Sequence, residues 1–122
     1  MCPPPRNDSD ISVIHNIKQV YTVIYQTGKK LSKSDKLGIN LHCEQITREI
    51  LQKLITAEFS PANKKLEILE NTRILLEVLK HFIRTEHELK IIDEKTYIRI
   101  EMLVIETSKM TNGWIKYLQN KQ

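Results

Sequence analysis

"ITAEFSPANKKLEILENTRILLEVLKHFI", residues 55–83, contains the boundary on which the fold turns. Phe59-Ser60-Pro61 stops one apolar stripe and starts another. Proline lacks the amide that a helix interior needs, but its fixed φ suits a first helical position, with Ser60 as the cap before it. Upstream, Ile39, Cys43, Ile46, Ile50, Leu54 and Ala57 fall three or four residues apart, one face of a helix that starts after Ser34. Downstream, Leu66, Leu69, Leu75, Leu76, Leu79, Phe82 and Ile83 form a set wider than one stripe. The helix carrying them, from Pro61 to about Leu89, is expected to touch more than one neighbour and to leave apolar surface for contact with other chains.

Working outward, Val13, Ile17, Val20 and Ile24 repeat at the same spacing, which predicts a first helix near residues 10–28 with Gly28 as its stop. Asp93 is a good cap for a last helix carrying Tyr97, Ile100, Leu103, Val104, Met110, Trp114 and Leu118. Four long helices joined by short connections favour antiparallel neighbours. The expected fold is therefore all-α, an antiparallel up-down four-helix bundle over residues 11–120 behind a flexible tail at 1–10. Composition agrees: among 122 residues there are three glycines and four prolines, three of them in the tail at Pro3, Pro4 and Pro5. So few turn residues argue against a β-sandwich, and the length gives one domain with one core.

No stretch approaches the roughly 20 apolar residues of a membrane span, and the start "MCPPPRNDSD" has no apolar signal core. Cys2 in the polar tail and Cys43 in an apolar stripe are expected to be free thiols. These features lead us to expect a cytoplasmic protein without membrane partners.

The catalytic motifs a bundle could house are missing. Ser12, Ile39, Val78 and Arg84 stand three residues before His15, His42, His81 and His87, so the Glu-x-x-His pairs of a di-iron centre are not there. No two histidines are four apart, and Cys43 has no CxxC partner. With no P-loop and no glycine-rich dinucleotide loop, we expect no enzyme activity, no metal and no cofactor.

Charge is more informative. The net charge is +4 and the pI about 9.1. Lys29, Lys30, Lys33 and Lys36 against Asp35 concentrate most of that excess around the first connection. Arg73, Lys80 and Arg84 alternate with Glu70, Glu77 and Glu88, which suits a salt-bridged solvent face. Together with the "KKLSKSDK" loop they could equally attract phosphates.

Three segments carry a resemblance. "LSKSDKLGINLHCEQITREILQKLITAEFS" at 31–60, "LEVLKHFIRTEHELKIID" at 76–93 with Tyr97, and "IETSKMTNGWIK" at 105–116 resemble, in order and spacing, the accessory variability determinant (Avd) family of diversity-generating retroelements. The last is the most specific: the family typically has a Glu and then Gly-Gly-Trp-Ile-Lys, matched here by Glu106, Gly113, Trp114, Ile115 and Lys116, with Asn112 replacing the first glycine. The resemblance implies a basic four-helix protomer in a homo-pentameric barrel. It further implies a non-catalytic accessory that binds nucleic acid, as template RNA or RNA–DNA hybrid, and a reverse transcriptase, in support of mutagenic cDNA synthesis and retrohoming. The family's basic character is carried at Lys33, Lys36, Lys80, Arg84 and Lys116. Glu58 departs from it, standing where the family often has Arg, and His42 stands where another basic residue is common. The alternative class is a structural or regulatory bundle related to proteins encoded in ribosomal-RNA intervening sequences, with no polymerase partner.

Gly113 beside Trp114, the only tryptophan, is unusual inside a helix, because glycine costs roughly 1 kcal/mol there against alanine. The pair reads as a packing device, in which a bare backbone permits a close approach and the indole covers it. Trp114 then either plugs the end of its own bundle or anchors a contact between protomers.

Overall fold

The computed structural model describes residues 8–121, with side chains from residue 12 onward; Cys2 and most of the expected tail lie outside the described residues. Four long helices account for nearly all of it: α1 (Asp8–Gly28), α2 (Leu41–Phe59), α3 (Ala62–Glu88) and α4 (Glu94–Asn120). Among the described residues there is no strand, and no helix is long and apolar enough to cross a membrane. Each helix packs on two others in a closed ring, α1 on α2, α2 on α3, α3 on α4 and α4 back on α1.

The apolar spacing explains which faces close this ring. Val13, Ile17, Val20 and Ile24 of α1 are buried, as are Cys43, Ile46, Ile50, Leu54 and Ala57 of α2. On α3 the buried stripe is Leu69, Thr72, Leu76, Leu79, Ile83 and Glu86, and Leu66, Leu75 and Phe82 pack half-buried on its flanks. The wide set thus meets two neighbours, α2 and α4, with Leu66, Leu75 and Phe82 only half-covered within the chain. Further apolar surface lies outside that set, as exposed Ile98, Met102 and Ile105 on α4 and Ile74 on α3. Buried threonines cost little because they bond back to their own helices: Thr47 to the Cys43 carbonyl, Thr72 to that of Ile68 and Thr111 to that of Thr107.

Three boundaries differ from the sequence expectation. α1 begins at Asp8, so the bundle starts earlier than residue 11. Helical structure resumes at Lys33, before Ser34, because Ser32 has the extended backbone of a cap and its hydroxyl accepts from the Asp35 amide at 3.3 Å. One short turn later a π-helical turn, Lys36–Asn40, leads into α2. Ser60 does not cap α3, because its hydroxyl donates to the Thr56 carbonyl at 2.6 Å and closes α2 instead. Pro61 is the cap residue, with extended backbone and a carbonyl that accepts from Lys64 and Lys65. Asp93 caps α4 as expected, accepting from the Thr96 amide at 2.7 Å.

α1 ends at Gly28 as expected, and the residue there is glycine for a spatial reason. A Cβ there would lie 2.5 Å from Nδ2 of Asn40, a fully buried amide that donates to the Ile24 carbonyl. Gly28→Ala should therefore destabilise the fold by about 1–3 kcal/mol, through overpacking against a fully buried amide. Thermal denaturation checks this; a variant as stable as the parent would mean that Asn40 can move aside.

Candidate nucleic-acid interface

An up-down bundle places its first and third connections at the same end. Here that topology joins two basic segments that are far apart in sequence. The first connection presents exposed Lys29, Lys30, Lys33 and Lys36. The third presents Lys90, and the first turns of α4 add Lys95 and Arg99. Lys30, Lys90, Lys95 and Arg99 line one cleft of about 820 Å³ together with apolar Val23, Leu31, Ile91 and Ile92. Asp93 and Glu94 also line it. The Asp93 carboxylate is occupied as the helix cap, and this hydrogen bond to Thr96 holds its carboxyl below the usual range, with lesser help from Lys95 and Lys30.

Lys90 has a φ of 62°, in the left-handed region that glycine normally fills after a helix. A side chain there costs roughly 1 kcal/mol or more. Its position is enforced by hydrogen bonds that end α3: the Lys90 amide to the His87 carbonyl, and the Ile91 and Ile92 amides to that of Glu86. The result is an ammonium group at the cleft.

Arg84 connects to this end through aromatic groups. Its exposed guanidinium lies against the Tyr97 hydroxyl, which, ahead of Glu101 and Glu88, raises its already high pKa. The Tyr97 ring in turn stacks on His87, with centroids 4.4 Å apart, and His87 lines the cleft. Lys80, one turn before Arg84, is paired with Glu77 at 2.8 Å. That bond, more than any other influence, holds the Glu77 carboxyl below its ordinary range. An exposed pair of this kind is worth at most about 1 kcal/mol and yields to a stronger anion.

Of the residues singled out in the sequence, Lys33, Lys36 and Arg84 border the basic end, and Lys80 lies just behind. Lys116 does not join them. It is exposed near the other end of α4, roughly 33 Å along the helix from Glu94 at 1.5 Å per residue. The structure also separates Gly113 from Trp114. Gly113 is exposed, and a Cβ on it would meet nothing within 4 Å, so no close backbone approach occurs there within the chain. Trp114 is buried, 6% exposed, and plugs the end of its own bundle, with Lys65 Nζ 5.8 Å above the ring. Lys65 is held by donating to the Glu58 carbonyl at 3.0 Å.

Lys90, Lys95 and Arg99 were missed in the sequence. Each looks like an ordinary surface cation, and the signal that could have found them is topological, since an up-down bundle sets residues 89–99 beside 29–36. Among the described residues no three His, Cys, Asp or Glu side chains gather as a metal site. No protein-family model matches the chain, and no curated protein matches it.

Proposed function

We propose that this chain is a non-catalytic accessory protein of a diversity-generating retroelement. It acts in the cytoplasm, binding nucleic acid through its basic end and partnering a reverse transcriptase during mutagenic cDNA synthesis. The observation that carries the nucleic-acid reading is the convergence of Lys30, Lys90, Lys95 and Arg99 on one cleft that Val23, Leu31, Ile91 and Ile92 also line, flanked by Lys33, Lys36 and Arg84. Cations beside apolar and aromatic groups suit a single strand, with phosphates against the cations and an unstacked base against the apolar side chains. The retroelement itself is carried by the sequence resemblance alone.

Affinity for single-stranded RNA should fall steeply with salt, log K changing by about 0.7 per phosphate neutralised for each tenfold change in concentration, with little sequence preference. Replacing Lys90 and Arg99 with Glu should weaken binding by about 100-fold at 0.1 M salt and flatten that slope. The Lys80→Glu, Arg84→Glu pair should act in the same direction. Helicity should persist, because exposed changes are usually worth under about 0.5 kcal/mol. Salt-independent binding, or none lost on charge reversal, would sink the reading. Purification from the native cell should recover a polymerase and its template RNA; ribosomal-RNA fragments without a polymerase would favour the intervening-sequence alternative.

The proposed assembly is a homo-oligomer, taken as a pentamer from the resemblance. It is supported by the outer face of α4, where Ile98, Met102 and Ile105 are exposed on the side that continues through Lys109 and Gly113 to Lys116. In such an assembly Gly113 gains the close approach it lacks here, and Lys116 and Lys80 recur by symmetry on a multivalent positive surface. Light scattering should return a multimer at micromolar concentration, and Met102→Asp should shift it towards monomer; a monomeric parent would overturn the assembly.

A further inference from the structure

Glu86 continues the core stripe of α3 after Leu79 and Ile83, and it is only 1% exposed. Its Oε1 accepts from the Cys43 thiol at 3.7 Å, a weak donor. Its Oε2 has no hydrogen-bond partner among the described residues. Nor has Oδ1 of the fully buried Asn40, the last residue of the π-helical turn. The backbone of Glu86 is as engaged as its side chain is not, since its carbonyl accepts from the amides of Ile91 and Ile92 at 2.9 and 3.4 Å. One residue therefore links the first turn of α2, which follows the first connection, through Cys43, and the α3–α4 connection through its carbonyl.

The neighbours are acidic. Asp35 faces Glu86 from the connector, and Cys43 faces it from α2 with Glu44 beyond. α1 meets the cluster with the Ile24 carbonyl and the Gly28 backbone. α4 meets the next residue, His87, with the Tyr97 ring. A protonated carboxyl fits such a place; a carboxylate there has no cation and one poor donor. Burial, the largest cause, together with Asp35 pushes the Glu86 carboxyl up to about 7, against the opposing Cys43 hydrogen bond. The adjacent π-helical turn is the segment best placed to yield, because its backbone leaves helical angles at Gly38 and both Leu37 and Gly38 within it are exposed.

We propose that Glu86, with Cys43 and Asn40, is a proton-operated latch: protonated, it keeps the basic end closed, and ionised, it admits water by loosening the 36–40 turn and the 89–93 connection. The latch goes beyond the nucleic-acid reading and does not depend on it, because the opening needs no ligand. It gives the two cation-bearing connections one shared control point.

The test uses the full chain without ligand. Carbon-13 NMR of the Glu86 carboxyl should give a midpoint well above the ordinary glutamate value of 4.5; a midpoint near that value overturns the proposal. Hydrogen-exchange protection factors for amides in 38–43 and 89–93 should fall at least about 10-fold from near pH 6 to near pH 8 in the parent, and stay level in Glu86→Gln. An unchanged parent, or the same fall in the Gln variant, overturns it. The NMR titration needs no variant, so the proposal stays testable even if Glu86→Gln does not fold.

Discussion

Trp114→Ala should remove about 3–5 kcal/mol of stability, much of what a domain of this size possesses. The indole is the largest side chain in the core, 6% exposed, with buried Ile115 beside it. Truncation leaves a cavity at the end of the bundle where α4 meets the α2–α3 connection. Lys65, held over the ring by its bond to the Glu58 carbonyl, loses its cation–π partner as well. With an unfolding entropy near 2.1 cal/mol/K per residue, the melting temperature should drop by roughly 12–20 °C. Circular dichroism melts measure it directly. A variant melting with the parent would show the indole to be dispensable inside the bundle and would return it to a contact between chains.

The second large effect is on the pH dependence of stability. The folded Glu86 carboxyl keeps its proton up to about 7, whereas an unperturbed glutamate releases it at 4.5. Between these values the folded chain binds the extra proton, so stability falls as pH rises through this window and levels off above it. The full difference is roughly 3 kcal/mol, and local opening at the π-helical turn would cap it below that. Asp93 and Glu77 slope the opposite way, since both are depressed, but they are exposed and act at lower pH. Glu86→Gln keeps the shape and removes the titration. Urea denaturation at about pH 5 and pH 8 should show the parent losing roughly 2–3 kcal/mol and the variant little. A parent that gains stability across that interval would refute the burial of an unpaired carboxyl.

Much of this fold is readable from spacing because apolar periodicity is a direct image of which face is dry. Val13, Ile17, Val20 and Ile24, and the α2 series from Cys43 to Ala57, are buried where the three-four rhythm places them. Caps were less legible. A serine hydroxyl near a boundary can serve either helix; both Ser32 and Ser60 have extended backbone, and only their hydroxyl bonds, from the Asp35 amide and to the Thr56 carbonyl, show that Ser32 opens one helix and Ser60 closes another. Glu86 was not singled out in the sequence. Its position falls on the core rhythm, but its charge argues for solvent, and the rhythm proved the better guide. The candidate interface was half visible: Lys29 to Lys36 form a run, whereas Lys90, Lys95 and Arg99 acquire meaning only once the third connection is set beside the first. The side chains of one bundle do not specify an activity, which is why the retroelement reading comes from the resemblance and not from the fold.

The closed ring of helices also has a kinetic meaning. Three of its seams join helices consecutive in the chain, and such local pairings form quickly. The fourth, α1 on α4, links residues as distant as Asn16 and Met110, 94 positions apart. Closing so long a loop costs entropy that only the finished seam repays, so the α1–α4 seam should close last. Substitutions at Val13, Ile17 or Val20 would then leave the folding rate nearly unchanged and speed unfolding, whereas those at Leu54, Leu69 or Leu76 would slow folding itself. The lifetime of the native chain would thus be set by how firmly its first helix holds to its last.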